Sequence, residues 1–366
     1  MSIGYLTRRV AARWVATVLP WVLVASAAGC GGHGARGNAS GQSGPAAFLQ
    51  GYVQADGRVS RPDQGDDTVS EGQAYALLLA EAAGDDAAFD RVWRWTRDHL
   101  RRPDGLFFYH TDSSGRVLDQ QAASDADVLI AWALLRHQGK DADGYHAEGN
   151  RVAGAILAHE LTTDPSGAPV LAAGPWATGR PASLDPSYWA LPAFRDLAKL
   201  TGDDRWSRLA DAVVPLTERF TDAGRLLPPD WVALTADGTL RPEPAPGGTQ
   251  PQTRYGLDAQ RLVVWLATSC DDRARRLAAG WWPMLRQADR TGAVALHPDG
   301  QLVDGGSAPL PLVAAASAAG AAGDTAARDR LLDRADRQHR QHPTYYGAAW
   351  AALGRVLLTG SALTSC

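Results

Sequence analysis

AAGDDAAFDRVW, residues 82–93, sets a small residue and Gly84 in front of two aspartates, with an apolar-periodic stretch on either side. Glycine accepts the left-handed backbone of a helix C-cap, and an aspartate side chain caps the amide groups of the helix that follows. Such a stretch reads as the turn of a helical hairpin. The same junction recurs at TGDDRWSRLAD (201–211), SCDDRARRLAA (269–279) and AAGDTAARDRLL (321–332), with a looser version at QGKDADGYHAEG (138–149). Asp85, Asp141, Asp203, Asp271 and Asp324 therefore mark five hairpins, at intervals of 56, 62, 68 and 53 residues.

Between the junctions, apolar residues return at three- and four-residue spacing, as in AYALLLAEAA (74–83), ADVLIAWALLRH (126–137) and RLVVWLATS (261–269). That spacing predicts helices. Alternating β-branched runs are scarce, so the expected class is all-α. A final helix near 343–359 pairs with one near 45–54, giving about twelve helices in about six hairpins. Hairpins repeated in this way stack as an open solenoid or close into a toroid. Unequal intervals and long Pro/Gly-rich loops such as RPEPAPGGTQPQT (241–253) favour the closed toroid.

With 366 residues and 45% hydrophobic content, the chain is ample for a packed core. Residues 1–29 differ in character: Arg8, Arg9 and Arg13 precede the apolar run WVATVLPWVLVASAAG (14–29), the pattern of a signal peptide. Cys30 follows Ala-Ala-Gly as in a bacterial lipobox, where the cysteine is lipidated, and residues 30–45 read as that cysteine and a flexible tether. An ordinary cleaved signal with an incidental cysteine is the simpler alternative. Residues 46–366 are expected to form one folded domain. The expectation is an exported monomer that meets a membrane only through the anchor at Cys30.

Loss of Arg8, Arg9 and Arg13 takes the formal charge from −4 to −7, a poor balance for a nucleic-acid partner. Only Cys270 and Cys366 remain besides Cys30, too few for a disulfide scaffold, though they suit one bridge.

Counting back from the junctions exposes a second regularity. Glu71 lies 14 residues before Asp85, Asp125 lies 16 before Asp141, Tyr188 lies 15 before Asp203, and Asp258 lies 13 before Asp271. Each would stand at the start of the first helix of its hairpin. In a closed ring those starts meet at one rim. A bland reading exists for each: Ser70 and Gln73 fit a capping box around Glu71, and Asp125 and Asp127 suit a first turn. No HExxH motif, Cys/His cluster or DDxxD run supports a metal site, and no cofactor is expected. Carboxylates and aromatics on one rim are the usual equipment of glycoside hydrolysis. Of the eleven tryptophans beyond residue 29, those at helical spacing, such as Trp93 and Trp132, are expected in the core.

VSEGQAYALLLA (69–80) resembles the segment around the catalytic glutamate of glycoside hydrolase family 8, usually S-E-G-x-G-Y-G-M. AASDADVLIAWALL (122–135) fits that family's A-[ST]-D-[AG]-D-x-x-[IM]-A signature through its central positions. LDPSYWALPAF (184–194), LLPPDWV (226–232) and YGLDAQR (255–261) look like its N-P-S-Y, P-D-W and Y-D-A-x-R stretches, in the same order. The resemblance implies an (α/α)6 barrel that hydrolyses a polysaccharide, β-1,4-glucan, with inversion. By position it makes Glu71 the general acid, Asp258 the general base and Asp125 the carboxylate that orients the sugar. Tyr188, Tyr255 and Arg261 would line the subsites, joined by Asp127, Trp189 and Tyr346. Ala74 and Ala76 replace glycines usual after the acid, which would narrow the cleft or tighten the helix, and Leu129 replaces a common acidic residue. The alternatives are a chitosanase or xylanase of the same family, or a non-catalytic glycan-binding lipoprotein. A general acid at a helix start must also keep its proton against the dipole, so Glu71 is expected to be largely buried, with a second carboxylate close by.

Overall fold

The computed structural model describes residues 44–245, 253–287, 290–360 and 362–363. Its helices are α1 (Pro45–Tyr52), α2 (Ser70–Ala83), α3 (Asp86–Leu100), α4 (Ser124–Arg136), α5 (Ala142–His159), α6 (Leu191–Thr201) and α7 (Asp204–Phe220). They continue with α8 (Leu257–Ala267), α9 (Asp272–Gly280), the one-turn α10 (Trp282–Leu285), α11 (Pro309–Ala321), α12 (Thr325–Gln341) and α13 (Tyr345–Thr359).

Four of the five junctions form as the sequence predicts. Asp85, Asp203, Asp271 and Asp324 each accept a backbone N–H from the first turn of the next helix, as in Ala88 N to Asp85 Oδ1 at 2.9 Å. Each such cap is worth about 1 kcal/mol. Asp141 is the exception. It sits in left-handed backbone at φ 63° with no side-chain cap, because α4 ends in extended His137 and the chain turns over several residues instead of two. Cys270, which takes the glycine's place in the fourth junction, is disulfide-bonded. Cys366, its expected partner, lies outside the described residues, as do residues 1–43.

Ring closure is visible in which helices touch. α2 packs on α4, α4 on α6, α6 on α8, α8 on α11, α11 on α13, and α13 on α2. These six make the inner wall of a closed barrel. α3, α5, α7, α9 and α12 each lie outside their hairpin partner, while α1 covers α13 and α2. The two layers have different sequences for that reason. α11, PLPLVAAASAAGA, is buried on every side between neighbours, whereas α3 keeps Phe89, Val92, Trp93 and Thr96 inward and presents charge outward. Small residues let the inner helices approach: a Cβ on Gly354 of α13 would come within 2.6 Å of Val313 Cγ1 on α11. Trp93 and Trp132 are core residues, as expected.

The outer helices return to the inner ones through long loops that carry the short strands. Thr68–Val69 pairs with His110–Thr111 just ahead of α2, and Ala182–Leu184 pairs with Trp231–Leu234 ahead of α6 and α8. The Gly-Asp turns occupy the opposite end of the barrel. Among the described residues no helix is long and apolar enough to cross a membrane.

Candidate active site

Glu71, Asp125 and Asp258 are each the second residue of an inner helix, α2, α4 and α8. Ring closure brings the three helix starts together around one side chain, Arg261, a turn further along α8 than Asp258. Nη1 of Arg261 donates to Glu71 Oε2 at 2.9 Å and to Asp125 Oδ2 at 3.0 Å, while Nη2 donates to Asp258 Oδ1 at 3.1 Å. Asp185 stands as a fourth carboxylate, 3.6 Å from Nη2. The guanidinium is almost fully buried, its carbon lies 5.3 Å from the centre of the Tyr188 ring, and Tyr75 and Tyr346 complete its surroundings. One turn further along their helices, Tyr75, Trp350 and Trp265 meet edge to face, with ring centres 5.6 and 5.7 Å apart.

Four carboxylates around one cation cannot all ionise cheaply. Burial pushes Glu71 up to about 7; Arg261 opposes this, and the charges of Asp125 and Asp258 add to it. Burial likewise raises Asp125, against the pull of Arg261, and holds Asp185 well above the usual range, with Asp258 adding. Glu71 thus has the buried setting and carboxylate neighbours that a proton-holding role requires. Exposure separates the set: the side chain of Asp258 is 40% exposed at the open end of the barrel, Glu71 17% and Asp125 7%. A group that must meet a water and a group that must keep a proton have different needs, and these positions differ accordingly.

Several sequence expectations are corrected here. Ser70 is the first helical residue of α2 and makes no capping box; Val69 holds the cap position in extended backbone. Gln73 instead works as a buried clamp, accepting from Val59 N at 2.6 Å and donating to Thr96 Oγ1 at 2.9 Å, which ties the preceding loop and α3 to the helix that carries Glu71. Tyr188 lies in a single 3₁₀ turn, Pro186–Tyr188, ahead of α6 and not on it. That turn sends the next residue the other way: Trp189 is buried, donates to Leu171 O at 3.0 Å and packs on Phe220, so it does not line a subsite. Asp127 is fully buried on the outer side of α4, where it accepts from Phe107 N at 3.0 Å and faces Glu160; no sugar reaches it. Tyr255 is also buried, its backbone bridged to Leu296, so it does not line a subsite. Ala74, Ala76 and Leu129 are buried in helix packing, so the alanines do not narrow the open end. Tyr188 and Tyr346 remain half-exposed beside the carboxylates.

Two carboxylates of the site were not singled out from sequence, Asp185 and Asp230. Asp230 reaches across from the start of the Trp231–Leu234 strand to accept from Gly256 N at 2.8 Å and Ala259 N at 2.9 Å. It is a cap for α8 supplied from another segment, and it brackets Asp258. A Cβ at Gly256 would lie 2.4 Å from Asp230 Oδ2, so only glycine admits this approach. Burial, with Asp258 second, pushes Asp230 up to about 6. Both residues lie inside the motif-like segments LDPSY and PPDW, where their acidity was the available signal. Tyr109, exposed near Glu71 and Arg61, had no such signal.

The pattern for glycosyl hydrolases family 8 matches residues 24–357. The chain belongs to glycosyl hydrolases family 8. An endoglucanase of Cellulomonas uda is 33% identical over 235 residues, 63% of this chain and 64% of the relative. A probable endoglucanase of Novacetimonas hansenii is 32% identical over 234 residues, 60% of this chain and 65% of the relative. The chain therefore spans just under two thirds of the length of these curated relatives. Among solved structures, an endo-β-1,4-glucanase from Acetobacter xylinum superimposes with a TM-score of 0.70 at 27% identity, covering 86% of this chain and 96% of that one. The closed double ring of helices is the (α/α)6 barrel of family 8.

Proposed function

We propose that this family 8 chain is an endo-acting hydrolase of β-1,4-glucan that inverts the anomeric centre. The observation that carries the reading is the convergence of Glu71, Asp125 and Asp258, from three inner helices, on the buried guanidinium of Arg261. The endoglucanase relatives support the choice of glucan over chitosan or xylan.

In this reading Arg261 donates to one oxygen of Glu71, leaving the other to carry the proton. That proton passes to the glycosidic oxygen as the bond from the anomeric carbon to it breaks. Asp258, the exposed member, takes a proton from a water whose oxygen attacks the same carbon from the opposite face. Asp125 accepts from a sugar hydroxyl at the cleavage point, and the half-exposed Tyr188 and Tyr346 offer ring faces to the chain. Arg261 balances the negative charge that grows as Glu71 gives up its proton.

Products from carboxymethylcellulose, mixed-linkage glucan, chitosan and xylan, followed by NMR as they form, test this directly. The expected result is oligosaccharides from the two glucans, released first as the α-anomer. A first-formed β-anomer removes inversion. Release from chitosan or xylan alone removes the glucan assignment, and release from none leaves a glycan-binding protein. We also read the chain as an exported monomer anchored through Cys30, on the strength of the charged and apolar pattern of residues 8–30. A Cys30→Ser chain that stays in the membrane fraction as fully as its parent refutes the anchor.

A further inference from the structure

The outer wall of the barrel carries a groove of about 580 Å³ between α12 and the α10 turn, within the range of about 300–1,000 Å³ usual for ligand sites. Its charged rim is Arg286, which follows α10, and Arg330, Arg334 and Arg337, which fall one and two turns apart on one face of α12. Trp282, Ala327 and Leu331 form an apolar floor. α11 lies between α12 and the barrel interior, so the groove is separate from the Glu71 site.

Charge on α12 is sorted in an informative way. Asp333 also lines the groove but pairs with Arg355 at 2.5 Å, and the other acids within the helix are engaged as well, Asp329 with Arg328 at 2.8 Å and Asp336 with Arg355 at 3.0 Å. Asp324, at the groove's end, accepts from Ala327 N as the helix cap. Among the described residues, the side chains of Arg286, Arg330, Arg334 and Arg337 form no hydrogen bond or ion pair. Four exposed guanidinium forks thus face one recess in a chain whose formal charge is −4. Unpaired like charges held together repel, and an anionic ligand relieves that repulsion.

We propose that this groove binds a carboxylate-bearing polysaccharide, distinct from the neutral glucan assigned to the barrel's open end. A concave strip with an apolar floor accepts the faces of pyranose rings. Guanidinium forks match carboxylates two bonds at a time. A neutral glucan leaves all four charges unanswered. A bilayer surface is too broad for a recess this size. The groove would hold the enzyme on a mixed polymer matrix while the open end works on the glucan within it.

The test is co-sedimentation or calorimetry of the full chain with polygalacturonate at low and high salt. Thermal unfolding serves as the folding check, so the result does not depend on the catalytic reading. The parent is expected to bind, more weakly in high salt. The triple variant Arg330→Gln, Arg334→Gln, Arg337→Gln is expected to bind about tenfold or more weakly, with hydrolysis of neutral mixed-linkage glucan unchanged. Should the triple variant unfold, Arg286→Gln alone is expected to weaken binding from the opposite wall. No binding by the parent, equal binding by a folded variant, or a preference for anionic vesicles or DNA over polygalacturonate overturns the proposal.

Discussion

Glu71→Gln is expected to lower the rate of glucan cleavage by about a thousandfold, the scale on which a positioned general acid contributes, while oligosaccharide binding stays close to that of the parent. Glutamine keeps the shape and accepts from Arg261 as the acid does, but it has no proton to give. The pH profile supplies the second half of the expectation. In the proposed mechanism Glu71 acts in its protonated form, and burial pushes it up to about 7. Activity of the parent should therefore fall as pH rises through about 7. Asp125→Asn removes a neighbouring negative charge that helps hold the proton, so in whatever activity remains that fall should move to lower pH. Reducing-sugar release by the glutamine variant at the parental rate refutes the assignment of Glu71. A flat parental profile from pH 6 to 9 refutes the protonation argument.

The magnitudes also resolve the conflict posed by a proton donor at a helix start. The dipole favours the ionised form by about 0.3–1 kcal/mol, less than one pKa unit. Removal from water, with Asp125 and Asp258 nearby, outweighs both the dipole and Arg261 and carries Glu71 from 4.5 to about 7. Ring closure supplies that setting, since it sets Arg261 of α8 and Asp125 of α4 against the start of α2.

Arg261→Gln should destabilise the barrel by about 3–5 kcal/mol, because it strands several buried carboxylates without their cation. Glu71, Asp125 and Asp185 all lose the guanidinium that they share. The loss should depend on pH, and its direction follows from the raised carboxyls. A carboxyl whose pKa is higher in the folded state than in the unfolded one stabilises the fold at low pH, and that contribution disappears as pH rises through the folded value. Without Arg261, which lowers Glu71, the folded value climbs further above 7. The variant should thus lie nearest the parent at pH 5 and furthest from it at pH 8. Urea midpoints at the two pH values measure this, and an equal loss at both would refute the carboxylate explanation.

The contrast between Tyr188 and Trp189 shows how far sequence reading extends. Both belong to LDPSYW, and both are aromatic residues suited to a sugar. One 3₁₀ turn directs Tyr188 to Arg261 and Trp189 into the core against Phe220. Asp125 and Asp127 divide in the same way across α4, one toward the barrel's interior cluster and one toward Phe107 and Glu160. Burial is a property of neighbours that are remote in sequence, so spacing alone does not assign it. The capping box around Glu71 failed for a related reason: strand Thr68–Val69 runs directly into α2, and Gln73 is drawn to Val59 and Thr96 instead.

Sequence by itself determined the hairpins, their number and the helix-start placement of Glu71, Asp125 and Asp258. Caps and apolar periodicity act between residues three or four apart, so local order encodes them. Tertiary structure alone decided that Arg261 stands at the centre of the cluster and that Asp185 and Asp230 belong beside it. It also chose which aromatic residues stay open to a ligand. Those outcomes depend on six helices closing a ring, because a carboxyl keeps its proton or loses it according to charges and walls that the chain brings together from 190 residues away.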